Sequence, residues 1–320
     1  MTRNISRLQS GAALLAAMLT VTLVATLSAA ALWQQWRNVE VETAERSRQQ
    51  TAWLLTGALD WARLILREDG RTGTIDHLAE PWAVPLQEAR LSSFLAVDAS
   101  NNSADTDTDT PQAFLSGLII DQQSHMNVFN LVVGNQLSKP DVLAFGKLFE
   151  LMGLPTSELM ALANNLRLAL DTSSPAAPLL PQRLEQLPWL GLSPQSLNLL
   201  RPYITLLPDR TPVNLNTASA PVIYASIPDL EMSQAQRLVT QRAATHFRTV
   251  ADAGKLAAAL GDRLSVSTRF FEVRGRLRNP LSTVEERSLV QRNGIEVKIL
   301  WRERGVITDL VPAALPASLQ

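Results

Sequence analysis

From Ala12 to Trp33 the chain is apolar without a charge or a proline, and a charged side chain returns only at Arg37. A bilayer core about 30 Å thick takes roughly 20 apolar helical residues at 1.5 Å each, so this run predicts a membrane-spanning helix. Helix formers continue to Arg67, with Leu54, Leu55, Ala58, Trp61, Ala62 and Ile65 at the spacing of an amphipathic face. One helix from Ala12 to Leu66 is expected, on the order of 80 Å long and locally weakened by Gly57.

Beyond it the period changes. Leu91 to Val97 and Phe114 to Ile120 read as strands on either side of Ala99 to Pro111, a polar tract expected to be a loop. From Leu137 to Leu260 the pattern is helical and punctuated by proline. Ser138 and Pro140 open Asp141 to Met152, Gly153-Leu154-Pro155 closes it, and Thr156 is placed to cap a helix reaching Leu170. Asp171 to Pro178 is a breaker-rich linker; Ser193-Pro194 opens a short helix that Arg201-Pro202 closes. Strands return at Arg269 to Leu277, Val284 to Arg292 and Ile295 to Glu303, the last two joined by Asn293-Gly294, a strong hairpin signal. Ile295, Val297, Ile299 and Trp301 alternate as a half-buried strand requires, and the tail from Leu310 to Gln320 is expected to fray. The order is sheet, helices, sheet.

Three readings of the N-terminus compete. Ser28-Ala29-Ala30-Ala31 could serve a signal peptidase, and a plain single-span anchor would explain the apolar run alone. The third starts from the leader, where Arg3 and Arg7 precede Ser10-Gly11 and the run begins at once with Ala12. This junction resembles the type IV prepilin class, in which a peptidase cuts after a glycine and the apolar helix stays on the mature protein. The cut would fall between Gly11 and Ala12, and the basic leader places the N-terminus in the cytoplasm with the bulk in the periplasm. Pilins commonly carry Glu as the fifth mature residue, and Ala16 stands there instead. A buried carboxylate needs a partner, so a subunit without it suits a unique position such as a tip better than a repeating shaft.

Composition removes several alternatives. The 320 residues carry a net charge of -1, which gives no electrostatic case for nucleic acid, and no cysteine, which removes disulfides and thiol chemistry. Asp105, Asp107 and Asp109 alternate as at the start of a calcium loop, but Thr110 and Ser116 stand where such a loop needs Gly and Glu, so no metal is expected. His77, His125 and His246 are far apart in sequence and read as surface or hydrogen-bonding residues rather than catalysts; Asp60, Glu68 and Asp69 read as the polar side of the long helix. No nucleophile elbow, phosphate loop or paired histidine motif occurs, so neither an enzyme nor a cofactor is expected.

Three further segments occur in order: Glu80-Pro81-Trp82-Ala83; Asp121 followed by Met126-Asn127-Val128-Phe129-Asn130-Leu131; and Val213-Asn214-Leu215-Asn216-Thr217-Ala218. Behind a prepilin-like leader without the glutamate, this order resembles the large minor pseudopilins of type II secretion, the general secretion pathway protein K family. The resemblance implies an α+β fold: a long N-terminal transmembrane and amphipathic helix on an antiparallel, pilin-like sheet, with a large inserted all-α lobe. It divides the chain into a leader (1–11), a transmembrane helix (12–33), a pilin-like helix with first strands (34–131), a helical lobe (132–265), C-terminal strands (266–305) and a tail (306–320). It implies a single-pass inner-membrane protein that caps or initiates the pseudopilus tip, with Ala16, Leu19 and Leu23 docking against neighbouring helices. The partners implied are the other minor pseudopilins, the major pseudopilin, the prepilin peptidase and membrane lipid, with secreted substrate or the outer-membrane channel as further contacts. The family often has a calcium site near the start of its lobe, but the stretch around Asp171 lacks neighbouring acids.

A rival reading lies between Val213 and Leu260. A helix ending near Ile227, a turn, a helix from Ser233 to Ala243 and then Phe247 to Asp252 resemble the helix-hairpin-helix of competence-type DNA-binding proteins. Such a fold holds phosphate on backbone N–H groups at a glycine-rich turn. Pro228-Asp229-Leu230-Glu231-Met232-Ser233 has no glycine and carries two acids, so nucleic acid is not expected; Arg237 and Arg242 read as a solvated face, and Asn214 and Asn216 as helix caps.

Overall fold

The computed structural model describes residues 9–90, 113–171, 177–279 and 283–305. The predicted strand from Leu91 to Val97, the polar tract with its alternating aspartates, most of the Asp171 to Pro178 linker, Arg3 and Arg7 of the leader, and the tail lie outside the described residues. The chain divides into two compact units, Met1–Thr56 and Gly57–Gln320.

The first unit is helical throughout its described part. Helix α1 spans Gln9–Thr72, beginning here and ending in the second unit, and Gly57 does not interrupt it. Within the apolar run, Thr20, Thr22 and Thr26 donate their hydroxyls to carbonyls three or four residues back, at 2.9–3.0 Å. The run therefore offers no hydroxyl hydrogen lacking an acceptor at these positions, as a helix in lipid requires.

The second unit is built on a five-stranded antiparallel sheet in the order β1-β2-β9-β10-β11. Its outer members are β1 (Leu86–Arg90) and β2 (Phe114–Asp121) on the N-terminal side and β9 (Phe270–Arg278), β10 (Thr283–Asn293) and β11 (Glu296–Gly305) on the C-terminal side. Between β2 and β9 lie the lobe's short strands β3 (Met126–Asn127), β4 (Val132–Val133), β5 (Gln136–Leu137), β6 (Ile204–Thr205), β7 (Val213–Asn214) and β8 (Leu264–Ser265). The lobe's helices are α2 (Lys139–Leu151), α3 (Thr156–Leu170), α4 (Pro194–Leu200), α5 (Ala220–Ser226), α6 (Met232–Ala244) and α7 (Lys255–Ala258). Asp121 pairs with Phe271, so β2 and β9 are direct neighbours and residues 122–269 fill the place of a hairpin loop.

The α1 segment from Gly57 lies on one face of the sheet. Leu59, Ala62 and Leu66 are buried with Trp82, Phe271, Val273, Val290 and Val297. The buried stripe is rotated from the predicted one: Trp61, expected inside, is 43 % exposed, while Leu59 and Leu66 are buried against the sheet and Ile65 packs there only partly buried. Arg63 fixes the docking by donating to the Val297 carbonyl at 2.9 and 3.2 Å. At Gly70 a Cβ would sit 2.4 Å from the Gly294 carbonyl oxygen, so the end of α1 meets the hairpin turn at a distance only glycine allows. On the opposite sheet face Leu207 from the lobe joins Phe270, Leu289 and Trp301. Trp301 reaches that face because Val290 pairs with Ile299 while Leu289 pairs with Trp301, leaving Leu300 as an extra residue. This bulge breaks the alternation expected from Ile295 to Trp301.

The lobe has its own core, centred on Val128, Leu131, Leu148, Phe149, Leu162, Leu166, Leu200 and Leu215. Two of its expected caps act differently. Thr156 is the first residue of α3 and not its cap, which falls at Pro155; Ser138 occupies the cap position but donates its hydroxyl to Asp141 at 2.5 Å. Ser193 does cap α4, accepting from the Ser196 N–H at 3.2 Å. Met126 to Leu131 forms a two-residue strand and a 3-10 turn.

Candidate functional site

The three segments that carried the family resemblance converge where the lobe joins the sheet. Pro81-Trp82-Ala83 forms a 3-10 turn whose indole packs edge-on against Phe271, with ring centroids 5.2 Å apart, and donates to Glu80 at 2.7 Å. Asp121, the last residue of β2, accepts from the Gln123 N–H at 2.7 Å, the Asn214 amide at 3.0 Å and the Thr217 hydroxyl at 2.5 Å. Asn214 also donates to the Asp76 carbonyl at 3.1 Å and accepts from the Asn216 N–H at 3.0 Å, with no exposed surface of its own. One amide thereby ties the lobe to β2 and to the segment that follows α1.

The remaining asparagines act the same way at longer range. Asn127 accepts from the Leu207 N–H at 3.1 Å and donates to the Asp209 carbonyl at 2.8 Å; Asn130 exchanges two hydrogen bonds with the Thr211 backbone, at 2.7 and 3.2 Å. Asn216 is not a helix cap. It closes on both the N–H and the carbonyl of Phe247, at 2.8 and 2.9 Å, and α5 starts only at Ala220. An amide side chain mimics one strand partner, so each of these residues satisfies buried backbone where no ladder runs.

A second polar layer lies beside the first. Arg292, on β10, bridges Asp69 at the end of α1 and Asp76, whose Oδ1 it meets at 2.5 Å, and donates to the Thr268 carbonyl at 3.2 Å. Asp69 is therefore not part of a solvated helix side. The Thr268 N–H donates to Asp76 at 2.7 Å. Burial outweighs these donors and pushes the Asp76 carboxyl up to about 6; burial also raises Asp121 and Glu80. Asp69, Asp76 and Glu80 each offer an oxygen within 4.8 Å of the others, but Arg292 holds the first two, and the His77 N–H and Trp82 indole hold the third. Protein donors thus do there what a cation would otherwise do.

The histidines are less isolated than their spacing suggests. His77 and His246 stack with ring centroids 3.9 Å apart, and burial followed by the neighbouring imidazole lowers His77. His125 lies 2.9 Å from the Ser124 hydroxyl, and burial, then the Arg274 cation, lowers it to about 4. A folded pKa below the unfolded one gives stability that is lost as pH falls from the unfolded value toward the folded one. Replacing His125 by Gln is expected to remove a loss of about 3 kcal/mol between about pH 6.5 and pH 4. Urea unfolding of both proteins across that range measures it; parallel curves would contradict it.

The helix-hairpin-helix segment forms, with α5 and α6 joined by a turn in which Asp229 is left-handed at φ 57°. Lys147 of α2 fills the turn, donating to the Ile227 and Leu230 carbonyls at 2.9 and 3.3 Å, and the Glu231 N–H donates to Gln234 at 2.8 Å. Arg237 is exposed as expected, but Arg242 is half-buried, donates to the Leu215 carbonyl and is lowered to about 10 by burial. The turn is an internal fastening that presents carboxylates outward.

The N-terminal residues singled out from sequence all lie on α1. Gly11 and Ala12 follow each other in its first turn, and Ala16, Leu19 and Leu23 recur at three- and four-residue spacing on one face, with Leu19 69 % and Leu23 59 % exposed. What sequence reasoning missed is the Asp69-Arg292-Asp76 bridge, whose members are separated by more than 200 residues. Arg292 lies among other charged and polar residues of β10, Glu285, Glu286, Arg287 and Gln291, and nothing in the sequence sets it apart from them.

Comparison with known proteins gives a consistent result. The family described as type II secretion system (T2SS), protein K matches residues 213–270, the stretch that holds Asn214, Asn216 and Thr217. Type II secretion system protein K of Pseudomonas aeruginosa is 25 % identical, over 92 % of this chain and 89 % of that one. A chain in the crystal structure of the GspK-GspI-GspJ complex from the enterotoxigenic Escherichia coli type 2 secretion system shares the fold, with a TM-score of 0.62, 18 % identity, and coverage of 82 % of this chain and 98 % of that one. A sheet with its lobe in place of one hairpin loop, an apolar leading helix and these matches together make the chain similar to protein K of type II secretion systems, in sequence over residues 213–270 and in fold over most of its length.

Proposed function

We propose that the protein is a minor pseudopilin that caps or initiates the pseudopilus tip of a type II secretion system. The observation that carries this is the junction of Asp121, Asn214 and Thr217, where the motif residues fasten a large lobe onto a pilin-type sheet. Such a lobe would clash with its copies in a repeating shaft but not at an end. In this reading a prepilin peptidase cuts between Gly11 and Ala12, the helix from Ala12 to Trp33 stays in the inner membrane with its N-terminus cytoplasmic, and residues from 34 onward stand in the periplasm. The fold relative comes from a complex of GspK with GspI and GspJ, which supports other minor pseudopilins as partners. The major pseudopilin would follow below them, and secreted substrate or the outer-membrane channel would lie above. Ala16, Leu19 and Leu23 form the face on which neighbouring helices dock, with Ala16 sparing the tip a buried carboxylate.

The maturation step gives the sharpest test. Expressed with a prepilin peptidase, the full chain is expected to yield a mature protein beginning at Ala12, and Gly11→Val is expected to keep the leader. N-terminal sequencing and intact mass decide it. A start beyond Ala31, or processing unaffected at Gly11→Val, would remove the pseudopilin reading. Co-purification of the detergent-solubilised mature chain with its neighbouring minor pseudopilins tests the tip role separately.

A further inference from the structure

The apolar run of α1 ends in a feature that membrane retention alone does not need. Trp33 and Trp36 sit one helical turn apart with ring centroids 5.5 Å apart, are 60 % and 57 % exposed, and are followed at once by Arg37. Gln34 and Gln35 lie between them. Indoles at such a boundary prefer the headgroup level, where the ring body is sheltered and the N–H meets water and ester oxygens. The spacing agrees: Ala12 lies 21 residues before Trp33, which at 1.5 Å per residue is about 30 Å, the thickness of a hydrocarbon core. The 18-residue apolar window of this helix is wholly unburied and has mean hydropathy 2.1, so lipid is the occupant that the face fits.

We propose that Trp33 and Trp36 are an interfacial lipid-binding pair that sets the depth of α1 and thereby holds the Gly11–Ala12 bond at the opposite membrane surface. This rests on the reading of α1 as a membrane span. The pair acts as a stop: the indoles resist entering the acyl chains, Arg37 resists it further, and the apolar run between them and Ala12 leaves no slack in a bilayer of ordinary thickness.

Because the chain has no cysteine, single cysteines can report depth directly. The full chain carrying one cysteine at each position from 28 to 40, in phosphatidylcholine vesicles, is treated with a membrane-impermeant maleimide. Labelling is expected to begin sharply after Trp36. In the Trp33→Ala/Trp36→Ala background the boundary is expected to move by about one turn and to broaden, with severalfold changes in labelling at residues 34 to 38. An unmoved, equally sharp boundary would overturn the proposal, whether because Arg37 alone sets depth or because the indoles serve a neighbouring helix absent from the vesicles. A cysteine at Val24 separates the two levels: protection there upholds the span, and labelling there defeats the span itself and the anchor with it.

Discussion

Replacing Arg292 by Met is expected to destabilise the unit Gly57–Gln320 by about 3–5 kcal/mol near pH 8, the cost of leaving buried charge without its partner. The guanidinium is 6 % exposed, pairs with Asp69 and Asp76, donates to the Thr268 carbonyl and lies 4.9 Å from the Phe271 ring centroid. Methionine fills much of the volume and keeps the contact with Phe271, so the loss reports charge and hydrogen bonding more than packing. The pH dependence has a definite sign. Asp76 titrates at about 6 even beside the cation, above the unfolded value, so its contribution is retained at low pH and lost as pH rises through the folded pKa. Without Arg292 that pKa rises further, and the destabilisation is expected to be largest above about pH 7 and to shrink toward about pH 5 as Asp76 becomes neutral. Urea unfolding at both ends of this range measures it. An equal loss at both would show that Asp76 does not bear the uncompensated charge. Arg292→Lys should recover only part of the stability, since one ammonium cannot reproduce the fork that spans two carboxylates.

The parts of the fold set by local chemistry were legible in the sequence. Asn293-Gly294 placed the hairpin between β10 and β11, the apolar run placed α1, and Ser193-Pro194 placed the start of α4. The phase of a buried stripe was less legible. Leu54, Leu55, Ala58, Trp61, Ala62 and Ile65 mark an apolar face, but a helix with apolar residues over more than half its circumference can rotate by a residue at little cost. The sheet chose Leu59 and Leu66. The bulge at Leu300 shows the same limit in a strand, where one extra residue moves Trp301 to the other face without any change in the pattern of letters. The polar junction was half legible. Its residues stood out as motifs, yet their action across more than 90 residues, Asn214 to Asp121 and Thr217 to Asp121, could not be read from neighbours in the chain, which made helix caps the natural expectation. Long-range polar pairs carry no periodicity, and only folding reveals which backbone groups need them.

That dependence makes Asn214 the most informative single side chain of the lobe. Asn214→Ala removes the donor to Asp121 and to the Asp76 carbonyl, and the acceptor for the Asn216 N–H, at a site with no solvent access. Each buried polar group left unpaired costs about 1–3 kcal/mol, with partial relief where a neighbour shifts, so a loss of about 2–4 kcal/mol is expected. The consequence should be uneven. The lobe core around Leu148, Leu162 and Leu215 and the sheet core around Trp82 and Phe271 share none of the lost bonds, while the fastening between them does. Unfolding followed by tryptophan fluorescence and by backbone circular dichroism is therefore expected to lose coincidence in the variant, one body melting before the other. Asn214→Asp sharpens the test, because a second carboxylate beside Asp121 should be worse than alanine near pH 8 and should improve on acidification as the pair takes up a proton. Coincident transitions with a loss below about 1 kcal/mol in Asn214→Ala would mean that the lobe is held to the sheet by apolar packing at Leu207 and Phe270 instead, and that the motif asparagines serve only the lobe's own backbone.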